Sequence, residues 1–153
     1  MSQDPVKVLG KNRKAFHNYH VDEKIECGIV LQGTEVKSLR NAHFNFADAY
    51  GRIRNNEMYL IGLHINPFAQ GNLFNHEPDR ERKLLLHRIE ILKLKRKVDE
   101  KGFTLIPLEL YLKQGKVKVL LGVCRGKKLY DKRHDIKTKD LKRETDREIR
   151  GRM

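Results

Sequence analysis

The chain has 153 residues, with 33 Lys or Arg against 20 Asp or Glu, and a formal net charge of +13 at pH 7. This length suits one domain plus a tail, and the charge favours a nucleic-acid partner over an anionic membrane. No apolar run approaches the ~20 residues that a membrane span needs, and the first residues contain no apolar secretory segment. We therefore expect a cytoplasmic protein with no membrane partner.

Two short elements are predicted in the first third of the chain. Residues 17–31, HNYHVDEKIECGIVL, are rich in β-branched and aromatic residues and predict a strand. The next segment, GTEVKSLRNA, predicts a short helix that Thr34 could cap. Its expected inward residues are Val36 and Leu39, and its expected outward cations are Lys37 and Arg40.

The middle of the chain predicts a hairpin, a loop and a helix. Asn55-Asn56 separates two β-type runs, and Asn tolerates the positive φ of a tight turn. Residues 66–82 are dense in Pro, Gly and Asn and predict a loop. Residues 87–97 predict a helix with Ile91 and Leu94 inward, and Gly102 is a plausible stop. The preceding KLLL could be the first turn of this helix or an extended segment.

The clearest alternation surrounds Gln114-Gly115, where Lys116 and Lys118 alternate with Val117 and Val119. This pattern predicts a hairpin with one wet face. Several short antiparallel strands with small helices between them predict a mainly β fold with short helices (α+β) that forms a closed or nearly closed small barrel.

No enzyme signature is legible, and neither a cofactor nor a metal is expected. His17 and His20 are three residues apart, but no Cys-x-x-Cys partner follows them. Cys27 and Cys124 lie in apolar surroundings far apart in sequence, which predicts reduced core thiols rather than a disulfide framework. The protein is therefore predicted not to be an enzyme.

The segment NRKAFHNYH, from residue 12 to 20, carries chemistry suited to RNA. Its cations could neutralise phosphates, and its rings could stack on unpaired bases. For Phe16 we favour a core position in the first strand, whereas for His17 and Tyr19 both interpretations stay open. Glu26 could accept hydrogen bonds from a base or a 2′-OH, but on residue type alone an ion pair with a neighbour such as Lys24 is favoured.

The last 29 residues, 125–153, hold 12 basic and 6 acidic residues and so supply 6 of the 13 net positive charges. Acid-then-base pairs four residues apart, such as Asp135–Lys139, would support a helix only weakly. The apolar residues are too sparse to form a stripe. The segment is either a solvated terminus or one that folds on a polyanion.

Six motifs in a fixed order identify a family resemblance. They are N12-R-K-A, E26-C-G-I, G33-T-E-V-K-S-L-R, N75-H-E-P, R82-K-L-L-L-H and G126-K-K-L-Y-D-K-R. The chain resembles the SmpB family of SsrA-binding proteins from about Val8 to Arg143. The resemblance implies an oligonucleotide-binding-like barrel with flanking helices and a function as a bacterial adaptor for transfer-messenger RNA.

The resemblance also implies partners. The adaptor would bind the tRNA-like domain of transfer-messenger RNA. It would deliver that RNA, charged with alanine and carried by elongation factor Tu, to the 70S ribosome stalled without a codon. The resemblance implies RNA contacts at Asn12, Glu26 and Leu85. Leu85 is the middle leucine of KLLL, and on residue type alone it would be assigned to the core. The full predicted RNA-binding set is Asn12, Arg13, Lys14, Tyr19, Glu26, Lys37, Arg40, Lys83 and Leu85.

The resemblance gives the C-terminal segment a role at the decoding centre and the 16S rRNA of the small subunit. Residues 125–153 would be disordered in isolation and helical in the empty mRNA channel, whereas residues 1–124 would form the barrel of a monomer. The implied positions are His17, Gly126, Lys127, Lys128, Asp131, Lys132, Arg133, Ile136 and Lys137. Relatives often carry Trp near position 141, where this chain has Leu, so the resemblance does not imply an aromatic contact there.

A different class of function also fits the composition. A general single-strand binder, such as a cold-shock-like barrel with a basic tail, would explain the charge and the barrel but not the six ordered motifs. The two hypotheses differ in selectivity, because an adaptor should prefer a folded tRNA-like RNA over poly(U).

Overall fold

The structure is a computed structural model that describes residues 5–70 and 75–126. Strands dominate these residues, as predicted. In chain order the elements are β1 (Val6–Lys11), α1 (Arg13–Asn18), β2 (Tyr19–Ile29), α2 (Gly33–Arg40), β3 (Phe44–Asn45), β4 (Tyr50–Arg54), β5 (Glu57–Ile61), β6 (His64–Ile65), β7 (Arg82–Leu85), α3 (Arg88–Lys101), β8 (Thr104–Lys113) and β9 (Lys116–Gly126).

Seven of the strands form one antiparallel sheet in the order β1-β8-β4-β5-β7-β2-β9, and β9 also pairs with β8. The sheet therefore curls round on itself as a small barrel, in agreement with the oligonucleotide-binding-like fold. Its weakest seam joins β4 to β8 through the single pair Gly51 and Leu105. The barrel is thus partly open at this seam. A separate two-stranded sheet pairs β3 with β6.

The interior of the barrel is apolar. Leu60, Leu84, Leu110 and Leu121, each from a different strand, are at most 1% exposed and belong to one cluster. Burial of each such side chain stabilises the fold by roughly 1.5–3 kcal/mol. Helix α3 packs against this cluster through Leu94, so the core extends from the sheet to the helix.

The N-terminal part of the first predicted strand is a helix. Residues 13–18 form α1, and β2 begins only at Tyr19. The Asn12 side chain accepts a hydrogen bond from the Ala15 N–H at 3.1 Å and caps the helix. Local capping thus outweighs the β-branched and aromatic composition that favoured a strand. Phe16 lies on this helix and is 37% exposed, so its predicted core position is wrong.

Both predicted hairpin turns are confirmed. Asn55 and Asn56 have φ of 52° and 61°, and Gln114 and Gly115 have φ of 53° and 73°. Two successive residues with positive φ form the type of two-residue turn that matches the twist of a hairpin. Gly102 ends α3 in the left-handed conformation at φ 68°, as predicted.

The helices follow the predicted faces with shifted boundaries. In α2, Leu39 is fully buried and Lys37 and Arg40 are exposed, but Gln32 rather than Thr34 is the N-cap. The KLLL segment is extended and forms most of β7, so α3 starts after His87 and runs to Lys101.

The β8–β9 hairpin has a wet face only near its turn. Farther along, Ile106, Leu108 and Cys124 form a second buried cluster with Ala15 of α1. Helix α1 therefore covers the side of the hairpin that was predicted to face solvent. The sequence could not show this, because the covering residue lies about 90 positions away in the chain.

Both cysteines are buried and free, as predicted. Burial raises the pKa of Cys27 to about 12, with smaller contributions from Glu90 and Glu26, and raises that of Cys124 to about 11. Neither thiol is therefore a nucleophile at neutral pH. Among the described residues, no helix has the length and apolarity that crossing a membrane requires.

Candidate nucleic-acid interface

The strand register places five residues in one row across the outer face of the sheet. Leu85 pairs with Gly28, Gly28 with Lys118, Lys118 with Tyr111, and Tyr111 with Val8. Residues that pair directly in an antiparallel sheet point to the same face. The row ends at two exposed apolar residues, since Leu85 is 52% exposed and Val8 is 46% exposed. We call this the outer-face row.

Glu26 lies beside this row. It precedes Gly28 by two residues in β2 and therefore shares its face. Its carboxylate pairs with Lys113 at 3.2 Å and accepts a hydrogen bond from the Tyr111 hydroxyl. The ion pair predicted from residue type exists, but its partner is not Lys24, whose ammonium lies 5.7 Å from the centre of the Phe16 ring.

The environment of Tyr111 links it to Glu26. Tyr111 is 7% exposed although it belongs to the outer face. Burial, followed by the charge of Glu26 and its hydrogen bond, raises the pKa of Tyr111 to about 12. The hydroxyl therefore stays protonated at neutral pH and remains a donor to the carboxylate. Glu26 is held in place by one cation and one neutral donor, and about a third of its side chain is exposed.

Leu85 is not a core residue, contrary to its default assignment. Its neighbour Leu84 points inward and is 1% exposed, so Leu85 points outward. It lies against Gly28, where a Cβ would come within 3.1 Å of the Leu85 Cβ. Gly28 therefore leaves the space that Leu85 occupies beside the backbone of β2.

Lys83 shares the outward direction of Leu85 in β7. Its ammonium pairs with Glu57 at 3.1 Å, and Glu57 also accepts a hydrogen bond from the Tyr59 hydroxyl at 2.8 Å. These two hydrogen bonds, that of Tyr59 first, hold the pKa of Glu57 below its ordinary value. A phosphate that binds Lys83 would compete with this carboxylate.

Asn12 is buried, and both ends of its side-chain amide form hydrogen bonds within the protein. It is 6% exposed, and its amide nitrogen donates to the Pro107 carbonyl at 2.9 Å while its oxygen caps α1. It thus fixes α1 to β8. The neighbouring Arg13 and Lys14 are both exposed.

Helix α1 forms one wall of a cleft of about 360 Å³. Lys14 lines it and pairs with Asp48 at 3.1 Å, and Tyr19 and Gly126 line it as well. His17 lies on the same helix and is exposed. The cleft therefore brings together three predicted RNA-binding residues, Asn12, Lys14 and Tyr19, and Gly126, which was predicted to contact the ribosome.

Two predicted cations lie on α2, on a different element from the outer-face row. Lys37 lies 5.4 Å from the centre of the Phe68 ring, and Arg40 is exposed. These two residues therefore lie on a different element from Glu26 in β2 and Leu85 in β7.

A buried ion-pair network that sequence inspection missed holds β7 in place. Glu35 and Arg82 are both 0% exposed and are hydrogen-bonded to each other, and Arg80 donates to Glu35 at 2.6 Å. Burial alone would raise the pKa of Glu35. The hydrogen bonds from Arg80, the Gln32 N–H and Arg82 outweigh burial and leave the pKa below its ordinary 4.5. Glu35 and Arg82 both lie in motifs that carry the family resemblance, but the resemblance assigned a role to neither residue.

His76, in the N75-H-E-P motif, also has a structural role. It is 5% exposed, its Nε2 lies 2.9 Å from the Ile65 carbonyl and its Nδ1 lies 2.8 Å from the Thr34 hydroxyl. Since the carbonyl can only accept, Nε2 donates to it, and Nδ1 forms the hydrogen bond with the Thr34 hydroxyl. The motif thus joins α2 to β6 rather than facing a ligand.

Most of the residues predicted for the decoding centre lie outside the described residues. These are Lys127, Lys128, Asp131, Lys132, Arg133, Ile136 and Lys137. Gly126 is the last residue of β9 and pairs with Tyr19, and Arg125 pairs with His20. The sheet thus continues two residues beyond the predicted barrel boundary at 124.

Comparison with known proteins decides the family. The SmpB protein family model matches residues 9–151, nearly the whole chain. The chain belongs to the SmpB family. Two SsrA-binding proteins illustrate the similarity. That of Treponema denticola is 57% identical over 98% of this chain and 97% of its own length, and that of Desulfitobacterium hafniense is 56% identical over 98% and 96%.

A solved SmpB structure supports the fold as well. The chain resembles it with a TM-score of 0.66 and 47% identity, over 76% of this chain and 82% of the other. That structure is described as "tmRNA-SmpB: a journey to the center of the bacterial ribosome". The SmpB resemblance inferred from the six motifs is confirmed.

Proposed function

We propose that the protein is an RNA-binding adaptor that binds the tRNA-like domain of transfer-messenger RNA and delivers it to stalled ribosomes for trans-translation. The observation that carries this proposal is the outer face of the sheet. Two family positions far apart in sequence are exposed there beside Gly28: Glu26 is two residues before it in β2, and Leu85 is its partner in β7. Membership of the SmpB family supports the choice of RNA.

The chemistry of the face suits unpaired nucleotides. Leu85 offers an exposed apolar contact to a base, and Glu26 offers acceptors to a base amine or a 2′-OH. The carboxylate would repel a phosphate, so it selects for hydrogen-bond donors rather than for the backbone. Lys83 and Lys113 flank these two residues and supply phosphate contacts. Asn12 acts as a positioning residue, because it fixes the helix that carries Arg13 and Lys14.

The remaining partners follow from the proposed role. The adaptor would act on transfer-messenger RNA charged with alanine and bound to elongation factor Tu, as a cytoplasmic monomer without catalytic residues. Residues 125–153 would enter the decoding centre and the empty mRNA channel, near His17 and Gly126. The charge of this segment supports the proposal, since rRNA phosphates would pair its 12 cations.

Replacing Glu26 by Ala tests the RNA site. The change removes an acceptor and frees Lys113 from its ion pair. Affinity for the tRNA-like domain should fall about 5- to 150-fold, the equivalent of roughly 1–3 kcal/mol for a lost hydrogen-bonding group. Affinity for poly(U) should hold or rise, because one more cation is available. Glu81→Ala, which removes an exposed carboxylate and frees Arg54 in the same way, is the matched control: it should affect poly(U) as Glu26→Ala does but should not lower affinity for the tRNA-like domain.

Truncation after Gly126 tests whether RNA binding and ribosome rescue depend on different parts of the chain. The last strand is complete at Gly126, so the barrel keeps its buried surface. Specific binding of the tRNA-like domain should persist, whereas alanine transfer to a nascent chain on a stalled ribosome should fail. Replacing Asp131, Lys132 and Arg133 together by Ala should reproduce much of that failure. Transfer at the full-length rate by the truncated protein would refute the proposed role of the tail.

A further inference from the structure

Several cations near the proposed RNA site are already engaged by carboxylates. Lys11, Lys14, Lys83 and Lys113 pair with Glu109, Asp48, Glu57 and Glu26 at 3.1–3.6 Å. An RNA phosphate must compete with a carboxylate at each of these positions. The cations that lack such a partner are therefore the better candidates for strong backbone contacts.

Helix α3 carries such cations on its outer side. Lys93 and Arg96 are exposed, and neither has a carboxylate partner within the part of the chain that the structure describes. On the same helix, Lys97 is engaged by Glu23. Lys93 and Arg96 are three residues apart and lie on one face of the helix.

Two exposed apolar residues share that face. Ile89 is 68% exposed and Leu92 is 41% exposed, and with Lys93 and Arg96 they occupy positions i, i+3, i+4 and i+7. The opposite side of the helix buries Ile91 and Leu94 in the core. We call Ile89, Leu92, Lys93 and Arg96 the α3 stripe. The stripe has exposed apolar side chains at its N-terminal end and cations without a carboxylate partner at its C-terminal end.

The α3 stripe begins close to the proposed RNA site in the chain. Only three residues separate Leu85 from Ile89, and Lys83, Leu85 and Arg88 line one groove between β7 and the start of α3. The start of α3 at Arg88 thus lies beside Leu85. The unpaired positive charge of the helix complements the phosphate backbone of that RNA.

We propose that the α3 stripe extends the binding surface for transfer-messenger RNA, with Lys93 and Arg96 on phosphates and with Ile89 and Leu92 against sugar or base. This inference rests on the proposed function and adds residues to the site marked by Glu26 and Leu85. It assigns the strongest salt-dependent contacts to α3 rather than to the ion-paired lysines of the sheet.

The test is the salt dependence of binding to the tRNA-like domain. Lys93→Ala/Arg96→Ala should make the slope of log K against log salt shallower by about 1.4–1.8, the share of two phosphates. If both proteins have the same affinity when extrapolated to about 1 M salt, this corresponds to a roughly 25- to 60-fold loss at about 0.1 M salt. Alanine suits a helix, so α3 should persist, and circular dichroism would check this.

The matched control is Lys95→Ala/Lys101→Ala. It removes the same charge from the same helix but off the stripe, and it should change the slope by less than half as much. Ile89→Ala/Leu92→Ala should weaken binding roughly tenfold with an unchanged slope. Equal effects of the two charge variants would show that α3 acts only through net charge and would overturn the proposal.

Three further outcomes separate the hypotheses. If the stripe variants bind the tRNA-like domain normally while Glu26→Ala and Leu85→Ala do not, the α3 inference fails and the proposed function stands. If all of these variants bind normally, the proposed RNA site fails as well. If stripe variants bind the RNA normally but lose ribosome association, the stripe faces the ribosome and the assignment to transfer-messenger RNA is wrong.

Discussion

Replacing Arg82 by Met should destabilise the fold by more than any loss of surface charge. The buried guanidinium donates to the Glu35 carboxylate and to four backbone carbonyls, those of Leu63, Glu77, Pro78 and Arg80. Met fills much of the same volume but donates to none of these acceptors. Glu35 would remain buried with Arg80 and the Gln32 N–H as its remaining partners.

The expected magnitude follows from this geometry. Removing one partner of a buried ion pair costs about 3–5 kcal/mol, out of a total stability of roughly 5–15 kcal/mol for a domain. At roughly 3 °C per kcal/mol for a domain of this size, the melting temperature should fall by about 9–15 °C. RNA binding should change only through the unfolded fraction, since Arg82 faces the interior.

Urea unfolding followed by far-UV circular dichroism measures this cost. Arg54→Met is the matched control, because it breaks an exposed Arg–Glu pair at 3.2 Å and should cost less than about 1 kcal/mol. In a Glu35→Gln background the cost of Arg82→Met should shrink, since no buried charge is left unpaired. Equal costs for the Arg82 and Arg54 variants, or no coupling to Glu35, would refute the network as described.

The network also makes a prediction about pH. The pKa of Glu35 is lower in the folded chain than its ordinary 4.5. The unfolded chain therefore binds more protons in acid, and stability is lost as the pH falls from about 4.5 through the folded-state pKa. Glu35→Gln should flatten this acid limb in a series of unfolding curves. An unchanged acid limb would contradict the assigned direction of the shift.

Three further predictions concern the outer face and the core. Gly28→Ala should push Leu85 aside, because the new Cβ would lie 3.1 Å from the Leu85 Cβ. A binding assay should then show weaker binding of the tRNA-like domain, with a change in stability of less than about 1 kcal/mol. Unchanged binding would count against Leu85 as an RNA contact. Ultraviolet titration should show one tyrosine, Tyr111, ionising near pH 12, and its raised pKa means that the stability of the fold falls as the pH rises from about 10 to about 12. The chain has five tyrosines, so four or fewer tyrosinates at pH 11 would agree with this and five would contradict it. Cys27 and Cys124 should resist a thiol reagent at pH 8 until urea unfolds the chain, and rapid labelling of the native protein would contradict their burial.

Local signals in the sequence predicted the elements that depend on local chemistry. Asn55-Asn56, Gln114-Gly115 and Gly102 mark turns and a helix end whose backbone angles only a few residue types adopt easily, and all three are where they were expected. The error at residues 17–18, which were predicted to be strand but belong to α1, has a local cause too. Asn12 caps a helix there, but its side chain is also bound to the Pro107 carbonyl, a partner 95 residues away.

The parts of the site that sequence could not predict depend on pairing between distant strands. The ion pair of Glu26 has Lys113 as its partner because β2, β9 and β8 are neighbours in the sheet, whereas sequence proximity favoured Lys24. The exposure of Leu85 depends on which face of β7 meets the core. The buried role of Glu35 and Arg82 was hidden because charged residues are usually exposed.

Competition between two RNAs tests the central claim most directly. A labelled tRNA-like domain of transfer-messenger RNA is bound by the full-length protein at fixed salt, and unlabelled tRNA-like domain or poly(U) is then added. An adaptor with a specific site should require at least about a thousandfold more poly(U), by nucleotide, to displace the label. Displacement by both RNAs at similar concentrations would show a general single-strand binder and would contradict the proposed function.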